Sequence, residues 1–381
     1  MNLLEREVPA CSISLYRTFQ YGYISEFFND VIPDYINKHL ASLDSHDYVI
    51  QDEITYRGHS RSILENHILT LKYKDDDKEE VIRILMPSLI EDTFLIIQGN
   101  YYVPAIYITD EPICVKRRSV NLYSLFCPIT FYYRENRAII LGRNIPINRF
   151  FHVIFEDKNL VEELISNLNL EQLITEDLDQ ARLNFRKVLP IPDDESIPDY
   201  LSNLFFDKFT KQLYKSFYNI DDIRDVIKLS INKFIKRHED NNRLEFINLK
   251  QKRLVFSEVL LRPVFRCITN ALSRKMTNRK HEPLKINEDI VLAYYVKDLG
   301  MNYLYDLVNG FSSIISHKAT FKLPGLETRL PQSVSSIHPT YKGRICPVSV
   351  SDKEPGVAVS LIATQEIDFK FGRFIIDDQE L

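Results

Sequence analysis

HPTYKGRICPVSVSDKEPGVAVSLIA, running from His338 to Ala363, is the most informative stretch of this 381-residue chain. His338-Pro339-Thr340 biases the backbone to a turn, because proline fixes its own φ and pushes the residue before it to extended geometry. Gly343 frees the backbone, Arg344 brings a guanidinium fork that can hold a phosphate or a carboxylate, and Pro347 sets another bend. Read from its residues, this is a rigid polar loop with a basic point, suited to binding or positioning. Cys346 follows His338 by eight residues. A thiol and an imidazole with no third orienting group make a poor nucleophilic pair, so Cys346-Pro347 reads better as a buried apolar thiol.

Outward from that loop, glycine is scarce and unevenly placed. The chain has 10 glycines, none between Gly142 and Gly300, and six from Gly300 onward. An average composition would supply about 7%. Neither G-x-G-x-x-G nor G-x-x-x-x-G-K-[ST] occurs, which argues against a self-sufficient nucleotide-binding enzyme. G-x-S-x-G and H-E-x-x-H are absent too, and no catalytic residue is expected in the chain. Five cysteines without a C-x-x-C pair suggest neither a disulfide framework nor a zinc site, and fit a reducing compartment. Glu5, Arg6 and Glu7 interrupt any signal-peptide core, and no apolar run reaches membrane-spanning length. A soluble intracellular protein without a membrane partner is expected.

Lys and Arg number 48 against 53 Asp and Glu, for a net charge of −5, but the charge is segregated. Residues 156–200 hold twelve acids and four bases, whereas residues 246–285 hold ten bases and two acids. The second block, with Lys250, Lys252, Arg253, Arg262 and Arg266, has the footprint of a surface that faces a polyanion; a solvated helix face is the alternative. DDDKEE, Asp75 to Glu80, lies between two alternating runs and reads as an acidic hairpin turn rather than a metal site.

Hydrophobic periodicity supplies the rest. Ile24, Phe27, Phe28, Val31, Ile32, Tyr35, Ile36, Leu40 and Leu43 predict an amphipathic helix despite Pro33. From about Tyr48 to Phe155, runs such as ILENHILTLKY, EVIRIL and RAIILG predict short strands. From about 157 to 316, VEELISNL, DYLSNLFFDKF, IRDVIKLSINKFI, LLRPVFRCITNAL and DIVLAYYVKDL predict helices, before an irregular tail. An α+β fold is expected, with a mixed, largely β domain over 1–155, a helical lobe over 156–245, a basic helical return over 246–316 and a last segment over 317–381.

HPT-x-x-GRICP resembles a signature of the β subunit of multisubunit DNA-directed RNA polymerases, where it lies beside the active centre. SHKATFKLPGLETR, Ser316 to Arg329, is similar to the fork-loop segment just upstream in that family. Weaker likeness runs back through Glu80–Pro112, Arg134–Phe155, Ile220–Asn242 and Leu249–Met276. What this implies is the N-terminal part of a split β subunit, as in giant phiKZ-like bacteriophages: a protrusion, a reduced helical lobe and a C-terminal fork region, located in the host cytoplasm or the virion. Arg329, Lys322, His317, Lys318 and the basic block would touch nucleic acid. Arg344, His338, Lys342 and Lys353 would lie near the active centre, with Arg344 either contacting substrate or holding the loop.

The resemblance also implies partners: a C-terminal β-type chain, β′-type chains, the DNA template and the RNA transcript. The Mg2+ ions of nucleotidyl transfer would be held by a β′-type chain, since the aspartate-rich NADFDGD motif is absent here. Departures from the family pattern fall at Ala319 and Thr320, where two arginines would stand, and at SVSDKEPG, which replaces ETPEG-x-N. MNYLYDLVNG, Met301 to Gly310, lacks the polar groups of the rifamycin pocket, so an insensitive enzyme is expected. A stand-alone nucleic-acid-binding or scaffold protein of polymerase-derived fold is the alternative.

Overall fold

Phe27, Phe28, Val31, Ile32, Tyr35 and Ile36 are buried along one amphipathic segment near the N-terminus. It begins as a π-helical turn, Phe27–Val31, and continues as α1 (Ile32–Asp44). Pro33 has no N–H to return to the preceding turn and its ring crowds that turn's carbonyl, so the wider turn falls where the proline needs room. The structure, a computed structural model, describes residues 26–44, 48–59, 62–73, 79–87, 89–90, 94–97, 100–103, 106–116, 118–168, 170, 177–189, 191, 195–239, 247–255, 257–278, 302–303, 319–320, 337–347, 367–368 and 370–376.

The β-rich stretch folds into antiparallel strands as expected, although the first three are long, at 12, 12 and 9 residues. β1 (Tyr48–His59), β2 (Ser62–Tyr73) and β3 (Glu79–Pro87) form a meander in the order β1-β2-β3, with Tyr48 opposite Tyr73 and Lys72 opposite Glu79. The strands flanking the acidic DDDKEE run therefore pair as a hairpin; Asp75 to Lys78 themselves lie outside the described residues. β4 (Leu89–Ile90), β5 (Phe94–Ile97) and β6 (Asn100–Val103) belong to a second sheet, and β7 (Ile106–Asp110) leaves it for another. β8 (Ile113–Val115), β9 (Val120–Leu122), β10 (Ile129–Tyr132), β11 (Arg137–Ile140) and β12 (Arg143–Pro146) form a five-stranded meander. Its last hairpin places Ile140 opposite Arg143, leaving Leu141 and Gly142 as a two-residue turn with φ of 49° and 73°. Two consecutive positive φ values are what a hairpin turn matched to strand twist requires.

At Ile147 the period changes from two to 3.6, and α2 (Ile147–Phe155) begins. α3 (Lys158–Asn167), α4 (Leu178–Val188), α5 (Ile197–Phe205), α6 (Lys208–Tyr218) and α7 (Ile223–Glu239) follow. Several of these helices start on a side-chain oxygen that takes up an otherwise unbonded amide. Asp157 accepts from the Asn159 and Leu160 amides, Ser196 from Asp199, and Asp207 from Thr210. The helices cover the β8–β12 sheet, and one buried cluster runs from Ile113 to Phe234. Phe131 sits within it, 5.4 Å from the Phe150 ring and 5.6 Å from Tyr133. The core thus continues across the 155/156 boundary drawn from sequence, because a sheet face as apolar as this one must be covered by the next elements in the chain.

The third segment keeps its helical reading over the stretch LLRPVFRCITNAL but opens with a strand, and the DIVLAYYVKDL run, 289–299, lies outside the described residues. Before α8 (Ser257–Asn278) comes β13 (Lys252–Val255), all four of whose residues are buried. β14 (Asn302–Tyr303), β15 (Ala319–Thr320), β16 (Ile367–Asp368) and β17 (Arg373–Phe374) complete the described strands. β14 joins the second sheet, in the order β14-β6-β5-β4, and the fourth sheet runs β15-β7-β13-β17-β16. β13 is its central strand, with Lys252 opposite Asp110 and Val255 opposite Tyr107. That sheet draws on residues from 106 to 374, so strands far apart in sequence close one structure. The fold is α+β, and among the described residues every strand pair is antiparallel except β15 with β7.

Candidate nucleic-acid interface

The HPT turn is a small, tightly bonded knot. Proline at the second position starts a 3-10 turn, Pro339–Tyr341, and His338 caps it, its Nδ1 lying 3.2 Å from the Thr340 amide and 2.8 Å from the Thr340 hydroxyl. That hydroxyl also accepts the Leu249 amide at 3.1 Å, and Thr340 is buried. Leu249 opens the short turn that leads into β13, so the knot is fastened to the start of the basic block. Gly343, at φ 72°, turns the chain back, and Arg344 folds inward.

Arg344 is only 7% exposed; one of its guanidinium nitrogens donates to the Ile375 carbonyl at 2.8 Å and another to the Lys342 carbonyl at 3.3 Å. Of the two roles weighed for it, direct substrate contact and holding the loop, the second is the one its geometry performs. A buried guanidinium spending its donors on two carbonyls fixes the knot against the C-terminal segment beyond β17. Lys342 remains exposed, and His338 is half-buried, with burial lowering its imidazole below the ordinary value.

The basic block divides into two populations. Lys252 is 4% exposed and its ammonium meets Asp110. Burial works to raise the Asp110 carboxyl, but Lys252 and the Cys114 thiol hold it below its ordinary value. Arg253 is 2% exposed and lies bidentate on Glu258 at 2.7 and 2.6 Å, with its guanidinium 4.6 Å from the Tyr123 ring centre. The Tyr123 hydroxyl donates to the same carboxylate. The expectation that these two cations grip phosphate is therefore corrected: inward-facing charges in a central strand hold the sheet together. A charge count in sequence has no direction, and β13 is too short for an alternating pattern to expose its burial.

Lys250 is half-buried just before the strand, whereas Arg262 and Arg266 are exposed on α8. Arg274, which sequence reasoning counted in the block without assigning it a site, is exposed on the same helix. Its spacing of eight from Arg266 is the signal that could have found it. His317, Lys318, Lys322, Arg329 and Lys353 lie outside the described residues. Among the described residues no three His, Cys, Asp or Glu side chains gather as a metal site, and no helix is long and apolar enough to cross a membrane. No protein-family model and no curated protein matches the sequence.

Proposed function

We propose that this chain is the N-terminal portion of a split β subunit of a DNA-directed RNA polymerase, forming part of the DNA cleft and fork during template-directed RNA synthesis. The observation that carries the reading is the stretch HPTYKGRICP, ten residues of irregular composition that resemble the family signature in order and spacing. The bonding of that stretch supports a positional role: His338 and Thr340 build a capped turn, and Arg344 ties it to Ile375. A part that must hold its shape beside reacting groups gains from such bonds, because positioning is a large share of what an active site supplies.

The chain itself would carry no catalytic residue. Mg2+ would be held by a β′-type partner and would stabilise charge in nucleotidyl transfer. Affinity purification from the native source tests the reading directly. Co-purifying chains should include one with the aspartate-rich magnesium motif and one with the remainder of a β subunit, and only the assembly should incorporate nucleotides on DNA. Polymerase activity from the pure chain, or a purification without such partners, would refute it.

A further inference from the structure

The HPT turn uses up its acceptors internally. The His338 carbonyl takes the Tyr341 amide at 2.9 Å, the Pro339 carbonyl the Lys342 amide at 3.1 Å, and the Tyr341 carbonyl both the Arg344 and Ile345 amides at 2.9 Å. The Lys342 carbonyl faces the Arg344 guanidinium at 3.3 Å. A backbone whose carbonyls are satisfied from within offers its remaining donors to whatever approaches.

One such donor is the Gly343 amide. Residues 341–344 make a type II turn: Lys342 has φ −53° and ψ 124°, Gly343 has φ 72°, and the Arg344 amide closes on the Tyr341 carbonyl. The C=O and N–H of a trans peptide point opposite ways. With the Lys342 carbonyl turned in toward the buried Arg344, the Gly343 amide of the same peptide is turned out, and it meets no partner among the described residues.

His338 supplies a second donor. Its Nδ1 accepts the Thr340 amide at 3.2 Å, and a ring nitrogen that accepts carries no proton. The neutral imidazole therefore has its proton on Nε2, a tautomer set by the hydrogen bonds of buried Thr340. Nε2 meets no partner among the described residues. Burial lowers the imidazole below its ordinary value, so at neutral pH the ring donates without a charge of its own. Lys342 is the third: its ammonium is exposed and pairs with no carboxylate among the described residues. Side chains three apart in a 3-10 turn stand in line, about 6 Å along its axis, which sets Lys342 over Pro339 and beside His338.

A turn that only braced the C-terminal segment would need the Nδ1 cap and Arg344, and asparagine would cap it as well as histidine does. Bracing gives no reason for an outward N–H, an unpaired ammonium and an outward amide around consumed carbonyls. Donors and positive charge without acceptors are complementary to an oxyanion. We infer that the outer face of this turn, made by the His338 Nε2–H, the Lys342 ammonium and the Gly343 amide, binds a phosphate group of a nucleotide. The donors by themselves specify the phosphate; the nucleotide as its carrier rests on the polymerase reading above.

Nuclear magnetic resonance of the full chain, isotope-labelled in histidine and glycine, tests the site with inorganic triphosphate. Before any addition the His338 ring should be protonated at Nε2 alone. On titration the His338 Nε2 and Gly343 amide signals should shift together and saturate. His338→Asn places an amide oxygen where Nδ1 was, so it keeps the cap and loses the outward donor. It should weaken triphosphate binding about tenfold, the effect of one hydrogen bond to a charged group, at an unchanged melting temperature. Lys342→Met should weaken it by a similar factor and leaves the turn's backbone bonds alone. A ring protonated at Nδ1, shifts no larger than those caused by sodium chloride at equal ionic strength, or full affinity in either variant would overturn the inference. Competition identifies the carrier. Displacement of triphosphate by a nucleoside triphosphate or by a single-stranded oligonucleotide supports the site and says whether a free nucleotide or a strand occupies it, whereas displacement by neither overturns it. Purification without polymerase partners would sink the assignment and leave phosphate binding standing, so the two readings fail separately.

Discussion

Arg253 and Glu258 meet fork to fork inside the protein, five residues apart, one on the central strand β13 and the other in the first turn of α8. Burial works against the guanidinium's charge, yet Glu258 holds it above its ordinary value. Removing one member leaves the other buried and uncompensated, which costs about 3–5 kcal/mol. Arg253→Met should lose stability by that amount in denaturant unfolding. Adding Glu258→Leu together with Tyr123→Phe, which removes the hydroxyl that donates to Glu258, should restore most of it, because an apolar cluster of similar volume carries no desolvation penalty. A combined variant no more stable than the single one would show that the pair is not the source.

Gly372 faces the same strand from the other side. Its φ is 68°, and a β-carbon added there would lie 1.8 Å from the Leu254 carbonyl oxygen, closer than any contact can be. The two residues are also joined by a hydrogen bond from the Leu254 amide to the Gly372 carbonyl at 2.8 Å. Gly343 has a similar φ of 72° but open space around it. Gly343→Ala should therefore cost only the backbone strain, about 1–2 kcal/mol. Gly372→Ala should cost clearly more, since β13 or β17 must move. Equal melting temperatures for the two variants would contradict this ranking.

The contrast between these glycines marks how far sequence reading reaches. Periodicity over many residues is legible, so α1, α3, α5 and α7 and the alternating strands before residue 146 can be read from the chain alone. Gly343 stands out because it lies in a recognisable turn, with prolines on both sides. Gly372 does not, because its constraint comes from Leu254, 118 positions away, and no local pattern encodes that distance. The same holds for Lys252, whose charge suggests a surface and whose partner Asp110 stands 142 positions away, whereas Arg253 and Glu258 are close in sequence and are turned inward by the burial of β13. Long-range pairing decides what a charge does, and a four-residue strand has too few positions to announce it.

Asp207 gives the stability a pH signature. The carboxyl caps α6 from a site 1% exposed, and burial pushes it up to about 6, although bonds from the Thr210 hydroxyl and amide pull the other way. Between its ordinary value near 3.8 and about 6, the folded protein keeps a proton that the unfolded chain has released. Stability from this group is therefore present at low pH and falls as pH rises through about 6, by up to about 3 kcal/mol for a difference of about 2 in pKa. Asp207→Asn keeps an acceptor for the cap and carries no charge. Relative to the unsubstituted protein it should gain stability as pH goes from 4 to 7, whereas a constant difference across that range would remove Asp207 as the cause.

Thr340 joins two parts of the chain that the sequence separates by 91 positions, through the Leu249 amide. Its hydroxyl also meets His338, so a single buried oxygen serves both the cap of the HPT turn and the approach to the basic block. Thr340→Val preserves shape while deleting the acceptor, leaving the Leu249 amide buried without it, which costs about 1–3 kcal/mol. Thr340→Ser keeps the oxygen and loses one methyl, a change of about 1 kcal/mol. The valine variant should therefore be the less stable of the two despite its closer volume, and hydrogen exchange at the Leu249 amide should quicken in it alone. If serine proves as damaging as valine, packing rather than the hydrogen bond holds the turn to the sheet.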